Sequence, residues 1–222
     1  MRYIIQTNPA SKGLPYILLL LIVLLFGSIV FVSCEDPNGI DTPEETNTIN
    51  GFEYVDLGLS VKWAACNVGA YAPDDYGNYY AWGETGFKTE YTRENSVTYN
   101  TEIDNIGGNS TYDVATVRYG APWRLPTKTE INELIANCDY QWDTVNGIVG
   151  GRYTSRINGN SIHPPAAGHR YQTSIGEIGY GYYWSSNPEG ATYSGFHYLQ
   201  RKRSDYTHID RFKGCSVRPV AK

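Results

Sequence analysis

The stretch from Gly51 to Lys222 predicts an α+β domain of small antiparallel sheets, one or two short helices and long loops. Three observations point there. The segment is rich in Gly, Tyr and Trp, and its short apolar runs are cut by turn residues, a pattern of strands and loops rather than of a helical bundle. One stretch, Thr127 to Cys138, carries a full helix signature. No self-similarity recurs at a fixed period.

The helix is read from its start. Thr127-Lys128-Thr129-Glu130 forms a capping box, in which the Thr127 hydroxyl accepts from the Glu130 amide and the Glu130 side chain reaches back to the Thr127 amide. Ile131, Leu134, Ile135 and Cys138 then recur at helical spacing on one face, which turns toward a core, and Pro126 fixes the entry. A shorter helix is predicted from Asp113, its cap, to Tyr119, with Val114 and Val117 one turn apart and Gly120 and Pro122 as its stop. Candidate strands are Val55–Leu57, Lys62–Asn67, Tyr79–Trp82, Tyr153–Ile157, Tyr182–Ser185, Gly195–Leu199 and Ser216–Val220, each bounded by Gly, Asn or Pro.

The 222 residues suffice for one well-filled core. Residues 1–34 stand apart from it. Arg2 and Lys12 precede an apolar stretch from Leu14 to Val32, and Ser33-Cys34 closes it, which reads as an export signal. A small residue before Cys at the end of the apolar run is similar to a bacterial lipobox, whose cysteine is diacylated and becomes the new N-terminus; Phe31 departs from the aliphatic residue usual there. The run is also close to the ~20 residues that span a bilayer, so a retained anchor helix is the alternative. Either way the rest of the chain lies outside the cytoplasm, tethered to a membrane through a lipid on Cys34 or through the helix. Glu35 and Asp36 resemble signals that send lipoproteins to the outer cell surface. Residues 35–50, made of Pro, Thr, Asn and acids, read as a solvated linker.

The formal charge of −5 becomes two units more negative once Arg2 and Lys12 leave with the signal. That balance disfavours nucleic acid and anionic lipid as partners. Beyond Cys34 the cysteines are Cys66, Cys138 and Cys215, an odd number in a compartment that permits disulfides. Cys66 and Cys138 are the expected pair, since Cys138 ends the helix while Cys215 lies in the last strand.

Six ordered segments carry a resemblance: EYVDLGLSVKWAACNVGA (Glu53 to Ala70), YGNYYAWGET (Tyr76 to Thr85), WRLPTKTEINELIANC (Trp123 to Cys138), NGNSIHPPAAGHR (Asn158 to Arg170), GYYWSS (Gly181 to Ser186) and GCSVRPV (Gly214 to Val220). Together they resemble the Fibrobacter succinogenes major paralogous domain. The resemblance covers nearly everything after Gly51. It implies a fold similar to C-type lectin and formylglycine-generating-enzyme domains, with the capped helix against a small twisted sheet and the first and last strands together. Some proteins of this kind vary a ligand-binding surface near the C-terminal end, which here would fall between Trp184 and Gly214.

Local motifs for chemistry are absent. The Glu-Pro-Asn, Gln-Pro-Asp and Trp-Asn-Asp triplets of calcium-dependent sugar binding do not occur; Trp184-Ser185-Ser186-Asn187 stands where the last would fall. Asp74-Asp75, after Pro73, reads as a turn cap. Cys215 has no neighbouring cysteine with which to form a formylglycine-generating pair. There is no GxSxG or HExxH, and His163, His169, His197 and His208 match no common zinc spacing. No metal, cofactor or catalytic residue is assigned. Asp143-Thr144-Val145 resembles the three-residue O-glycosylation motif of exported Bacteroides-group proteins.

What remains is a recognition surface. Trp63, Trp82 and Trp123 sit beside small or apolar residues and belong to the core, whereas Trp142 and Trp184 are open. From Tyr193 to Arg211 the chain gathers Tyr193, His197, Tyr198, Arg201, Lys202, Arg203, Asp205, Tyr206, His208 and Arg211, a basic and aromatic concentration on an acidic protein. Tyr and Arg give large contact area and adaptable hydrogen bonds, so Tyr193, Tyr198, Arg201, Arg203, Tyr206, His208 and Arg211, with Asn187, are the candidate ligand-binding residues. The other reading is a solvated hairpin whose cations balance acids elsewhere. The expectation is a non-enzymatic, lipid-anchored surface module that recognises a glycan or a protein; a structural envelope component and an enzyme with an unrecognised site are the alternatives.

Overall fold

The computed structural model describes residues 47–222. The export signal, the lipidation at Cys34 and the linker up to residue 46 lie outside the described residues. Three strands open the fold, β1 (Thr48–Ile49), β2 (Phe52–Val55) and β3 (Lys62–Ala64), followed by helices α1 (Val114–Tyr119) and α2 (Lys128–Asn137). Then come β4 (Cys138–Val145), β5 (Ile148–Ser155), β6 (Ser161–Ile162), β7 (His169–Tyr171), β8 (Ser174–Gly176), β9 (Gly181–Glu189), β10 (Tyr193–Gln200), β11 (Arg203–Asp210) and β12 (Val220–Ala221). The architecture is α+β, with helices few and sheets small. Among the described residues no helix is long and apolar enough to cross a membrane.

Order begins before Gly51. β1 pairs antiparallel with β2, so residues 48–50, expected to be solvated linker, belong to the folded unit. Local bonding explains it: the Ile49 carbonyl accepts from the Trp123 indole at 2.9 Å, and the Asn50 side-chain Nδ2 donates to the carbonyls of Tyr119 and Ala121 at 3.0 and 2.9 Å.

The strands form four sheets, β1-β2-β3-β12, β11-β10-β9, β4-β5-β6 and β7-β8. The segment from Gly214 to Ala221 stitches them together. Ser216 bonds to β9 through the Tyr182 carbonyl and the Trp184 amide, Cys215 exchanges both bonds with Tyr80, and Val220 exchanges both with Arg124. At its end β12 lies antiparallel to β3, with Val220 opposite Trp63. Tyr79–Trp82, expected to be a strand, makes only the single bridge of Tyr80 to Cys215, because the Trp82 amide turns to the Arg211 carbonyl.

β9 is buried on both faces, and successive side chains point into different clusters. Tyr182 and Trp184 pack with Trp82, Trp123, Phe196, Cys215 and Val217. Tyr183 packs with Trp63, Ile131, Leu134, Tyr153, Leu199 and Val220. Three of these indoles are anchored by their N–H groups, from Trp82 to the Ser185 carbonyl, Trp123 to that of Ile49 and Trp184 to that of Tyr80. Trp184, open in the sequence reading, is thus core. Each buried ring stabilises the domain by ~2–3 kcal/mol or more.

Both expected helices form. Asp113 caps α1 with all its lone pairs, one oxygen accepting from the amides of Ala115 and Thr116 and the other from those of Gly108 and Leu125. α2 starts with the capping box as read: Thr127 Oγ1 accepts from the Glu130 amide at 3.3 Å, and Glu130 Oε2 accepts from the Thr127 amide at 2.8 Å. Glu130 also holds Arg124 in a two-pronged pair at 2.8 and 2.5 Å. Thr127→Ala is expected to cost about 1 kcal/mol. Glu130→Ala should cost about 3 kcal/mol, since it also strands the half-buried Arg124 guanidinium. Urea unfolding of the two variants ranks them; equal losses would remove the Arg124 pair from the account.

The cysteines correct one expectation. Cys66, Cys138 and Cys215 are all free, so no bridge joins Cys66 to Cys138. Cys138 is the C-cap of α2 and packs with Ile131 and Leu134, whereas Cys66 borders a different cleft with Phe52 and Tyr119. Burial pushes the Cys138 thiol up to about 11, which makes it a small apolar side chain rather than a nucleophile. Asp75, by contrast, caps its turn as read, accepting from the amides of Tyr71 and Ala72.

Candidate functional site

The eight candidate ligand-binding residues do not form one surface. Six lie on the β9-β10-β11 sheet, Arg201 in the β10-β11 turn and Arg211 just past β11, and the register separates them. Tyr193 pairs with Asp210 at one end of the β10-β11 hairpin and Gln200 with Arg203 at the other, seven strand steps or roughly 23 Å away.

Arg211 leaves the surface altogether. It is fully buried, its guanidinium lies 4.2 Å from the Trp82 ring, and it donates to the carbonyls of Gly190, Tyr193, Thr98 and Thr101 and to the Ser194 hydroxyl. With no acid within ion-pair reach among the described residues, this cation is a loop organiser and not a ligand contact.

Four others gather where the sheet meets the start of α2. Asn187 Oδ1 accepts from the Lys128 amide at 2.7 Å, and the Tyr206 hydroxyl lies 3.0 Å from Ser185 Oγ, with the Lys128 ammonium 5.0 Å from its ring. The Tyr206 ring lies directly on Gly195, where any Cβ would collide with it. Tyr193 and His208 meet edge to face at 5.4 Å. Asn187 and Tyr206 are thereby committed to holding the helix on the sheet.

Tyr198, Arg201 and Arg203 lie at the opposite end. Arg201 and Lys202 are the two residues of the β10-β11 turn, both exposed, and neither enters an ion pair among the described residues. Arg203 is neutralised by Asp205 at 2.8 Å. Beside the turn lies a cleft of about 390 Å³ lined by Trp142, Val149, Gly179, Tyr180, Gln200, Arg201 and Lys202. Tyr198 supports it from behind, its ring parallel to that of Tyr180 at 5.9 Å.

The cleft is held from several sides. The β4-β5 hairpin brings Trp142 opposite Gly151, and the Tyr140 hydroxyl donates to the Gln200 carbonyl at 2.8 Å, tying that hairpin to the β10-β11 turn. Burial raises the Tyr140 hydroxyl far above the ordinary phenol range, so it stays a donor. Gly151 is required for this approach, because a Cβ there would sit 2.6 Å from the Tyr140 ring.

Sequence reasoning missed Trp142 as a site residue, together with Val149, Gly179 and Tyr180. A signal for the first two existed: Asn146-Gly147, with φ of 50° and 83°, is the two-residue turn that closes the β4-β5 hairpin. No family model, curated protein or solved structure matches the chain.

A second cleft of about 350 Å³ is lined by Thr92, Arg93, Glu94, Tyr171, Gln172 and Phe212. Its cation is engaged already, since the Arg93 guanidinium lies 5.5 Å from both the Tyr99 and the Phe212 rings. Among the described residues no three or more His, Cys, Asp or Glu side chains converge as a metal site would need.

Proposed function

We propose that this chain is a non-enzymatic recognition module of a bacterial cell surface, lipid-anchored through Cys34, with its binding site at the β10-β11 turn. The observation that carries the reading is the cleft where the aromatic rings of Trp142 and Tyr180 stand beside the cations of Arg201 and Lys202, which enter no ion pair among the described residues. Partly exposed aromatic rings next to flexible cations in a concave place are the ingredients of a binding hot spot. A C-type-lectin-like, major-paralogous-domain fold is part of the proposal. It is supported by α2 packed on the β9-β10-β11 sheet and by β3 lying beside β12, which draws the first and last strands together.

The test uses the full chain in a mild detergent, offered to a panel of surface glycans and surface proteins. A saturable partner is expected, and the Trp142→Ala, Arg201→Ala, Lys202→Ala triple variant should lose it while unfolding at the native temperature. Binding untouched by the triple change would move the site elsewhere. A panel with no partner at all would reject the module reading.

A further inference from the structure

We propose that the cleft beside the β10-β11 turn takes a carboxylate-bearing pyranose, a uronic acid unit of an acidic polysaccharide, with the sugar face on Trp142 and Tyr180 and its carboxylate on Arg201 and Lys202. This rests on the recognition reading above and names its ligand class.

The placement of tryptophan is the first argument. Trp63, Trp82, Trp123 and Trp184 are all exposed by 2 % or less. Trp142 alone among the five is only partly buried, one side packed on the core, and it is joined at the cleft by Tyr180 at 41 % exposure and by Val149. A lone exposed ring needs no explanation, but rings and aliphatic groups gathered at one concave place mark a surface that something covers.

The rings are also rigid. Phe196 and Tyr182 stack in the core at 5.0 Å, Tyr182 packs on Tyr198 at 5.1 Å, and Tyr198 is parallel to Tyr180 at 5.9 Å. This ladder fixes Tyr180 from the core outward, so a flat ligand would meet a surface that is already in place, with little ordering cost. The flat, apolar C–H face of a pyranose suits such a surface, while its hydroxyls remain toward solvent and the Gln200 amide.

Charge supplies the second element. The chain is acidic overall, so an anion gains nothing from its general field. At the cleft the balance reverses. Arg203 is cancelled by Asp205, and the carboxylate of Glu177 is engaged by the Tyr182 hydroxyl, which leaves Arg201 and Lys202 as adjacent cations with no ion pair among the described residues. A guanidinium and an ammonium side by side bind one carboxylate through charge-assisted hydrogen bonds. An acidic peptide also carries carboxylates but has no pyranose face to lay on Trp142, so the sugar is favoured. The cleft volume of about 390 Å³ lies within the ~300–1,000 Å³ usual for small-ligand sites.

The experiment titrates the full chain in detergent with a galacturonate trisaccharide, its neutral methyl ester and a glutamate-rich tetrapeptide, by calorimetry and tryptophan fluorescence. The acid trisaccharide is expected to bind about tenfold or more tightly than the ester. Arg201→Gln with Lys202→Gln should bind acid and ester alike. Trp142→Ala should weaken both, and Trp142→Tyr, which keeps an aromatic face, should restore most of the binding. Equal binding of acid and ester to the native chain, or preference for the peptide, would overturn the ligand class while leaving a recognition module in place. The ligand class also falls, and the module stands, if none of the three probes binds but the wider panel finds a partner. Binding of the acid unaltered by every variant would overturn the site.

Discussion

The Arg211→Met variant is expected to melt about 10 °C or more below the native chain, the largest loss from any single change considered. Arg211 is fully buried, and its fork satisfies four carbonyls and a hydroxyl drawn from strand β10, the loop at Thr98 and Thr101, and the β9-β10 turn at Gly190. Methionine fills similar volume but offers no donor, and each orphaned buried acceptor costs ~1–3 kcal/mol. Even partial access of water leaves a loss of roughly 4 kcal/mol, a large share of the ~5–15 kcal/mol by which domains are stable. Arg211→Lys should recover little, because one ammonium cannot span acceptors arranged for a planar fork. Thermal unfolding reads the loss, and limited proteolysis should show cleavage near Thr98 to Thr101 first. A melting point within about 2 °C of native would remove the loop-organising role assigned to this residue.

Acid provides the second large effect. His197 is buried, its Nε2 lies 2.7 Å from the Tyr153 hydroxyl, and burial holds the imidazole down to about 3. The unfolded chain takes up that proton near pH 6.5, whereas the folded chain refuses it until about 3. Stability from this group is therefore complete above pH 6.5 and is lost as the pH falls toward 3, at about 1.4 kcal/mol per unit. The total is roughly 5 kcal/mol. Burial lowers His163 and His169 in the same direction, so their contributions add. Urea midpoints measured at pH 7, 6, 5 and 4 should decline steadily, and His197→Gln should flatten the slope whatever its effect at pH 7. A midpoint independent of pH across that range would refute the assignment.

Local chemistry was legible in the sequence wherever a few adjacent residues decide the outcome. The capping box at Thr127 and Glu130 and the Asp113 cap are such cases, because donor and acceptor lie within one turn. Strands were legible where turn residues bound them, as for β3, β9 and β10, whereas the expected segment Tyr153–Ile157 meets only the end of β5 and β4 was hidden. β11 follows a turn of Arg201 and Lys202, which contains neither Gly nor Asn, so nothing marked its start. The candidate site failed for a different reason. Arg211 and Arg201 are the same residue type ten positions apart, yet one faces backbone carbonyls in the interior and the other faces solvent, and only tertiary context separates them. Trp142 enters the cleft from another hairpin altogether, a contact over about sixty residues that no local pattern encodes.

The stitching role of Gly214 to Ala221 has a kinetic consequence. Tyr80, Val68, Ala64, Arg124 and β9 all find backbone partners in this one late segment. Until it arrives, the earlier strands have open edges and the two apolar clusters lack Cys215, Val217 and Val220. Contacts of such long sequence separation make folding slow and cooperative, because loop closure precedes the reward. A chain lacking residues 214–221 would thus be left with these strand edges unpaired and both clusters unfilled.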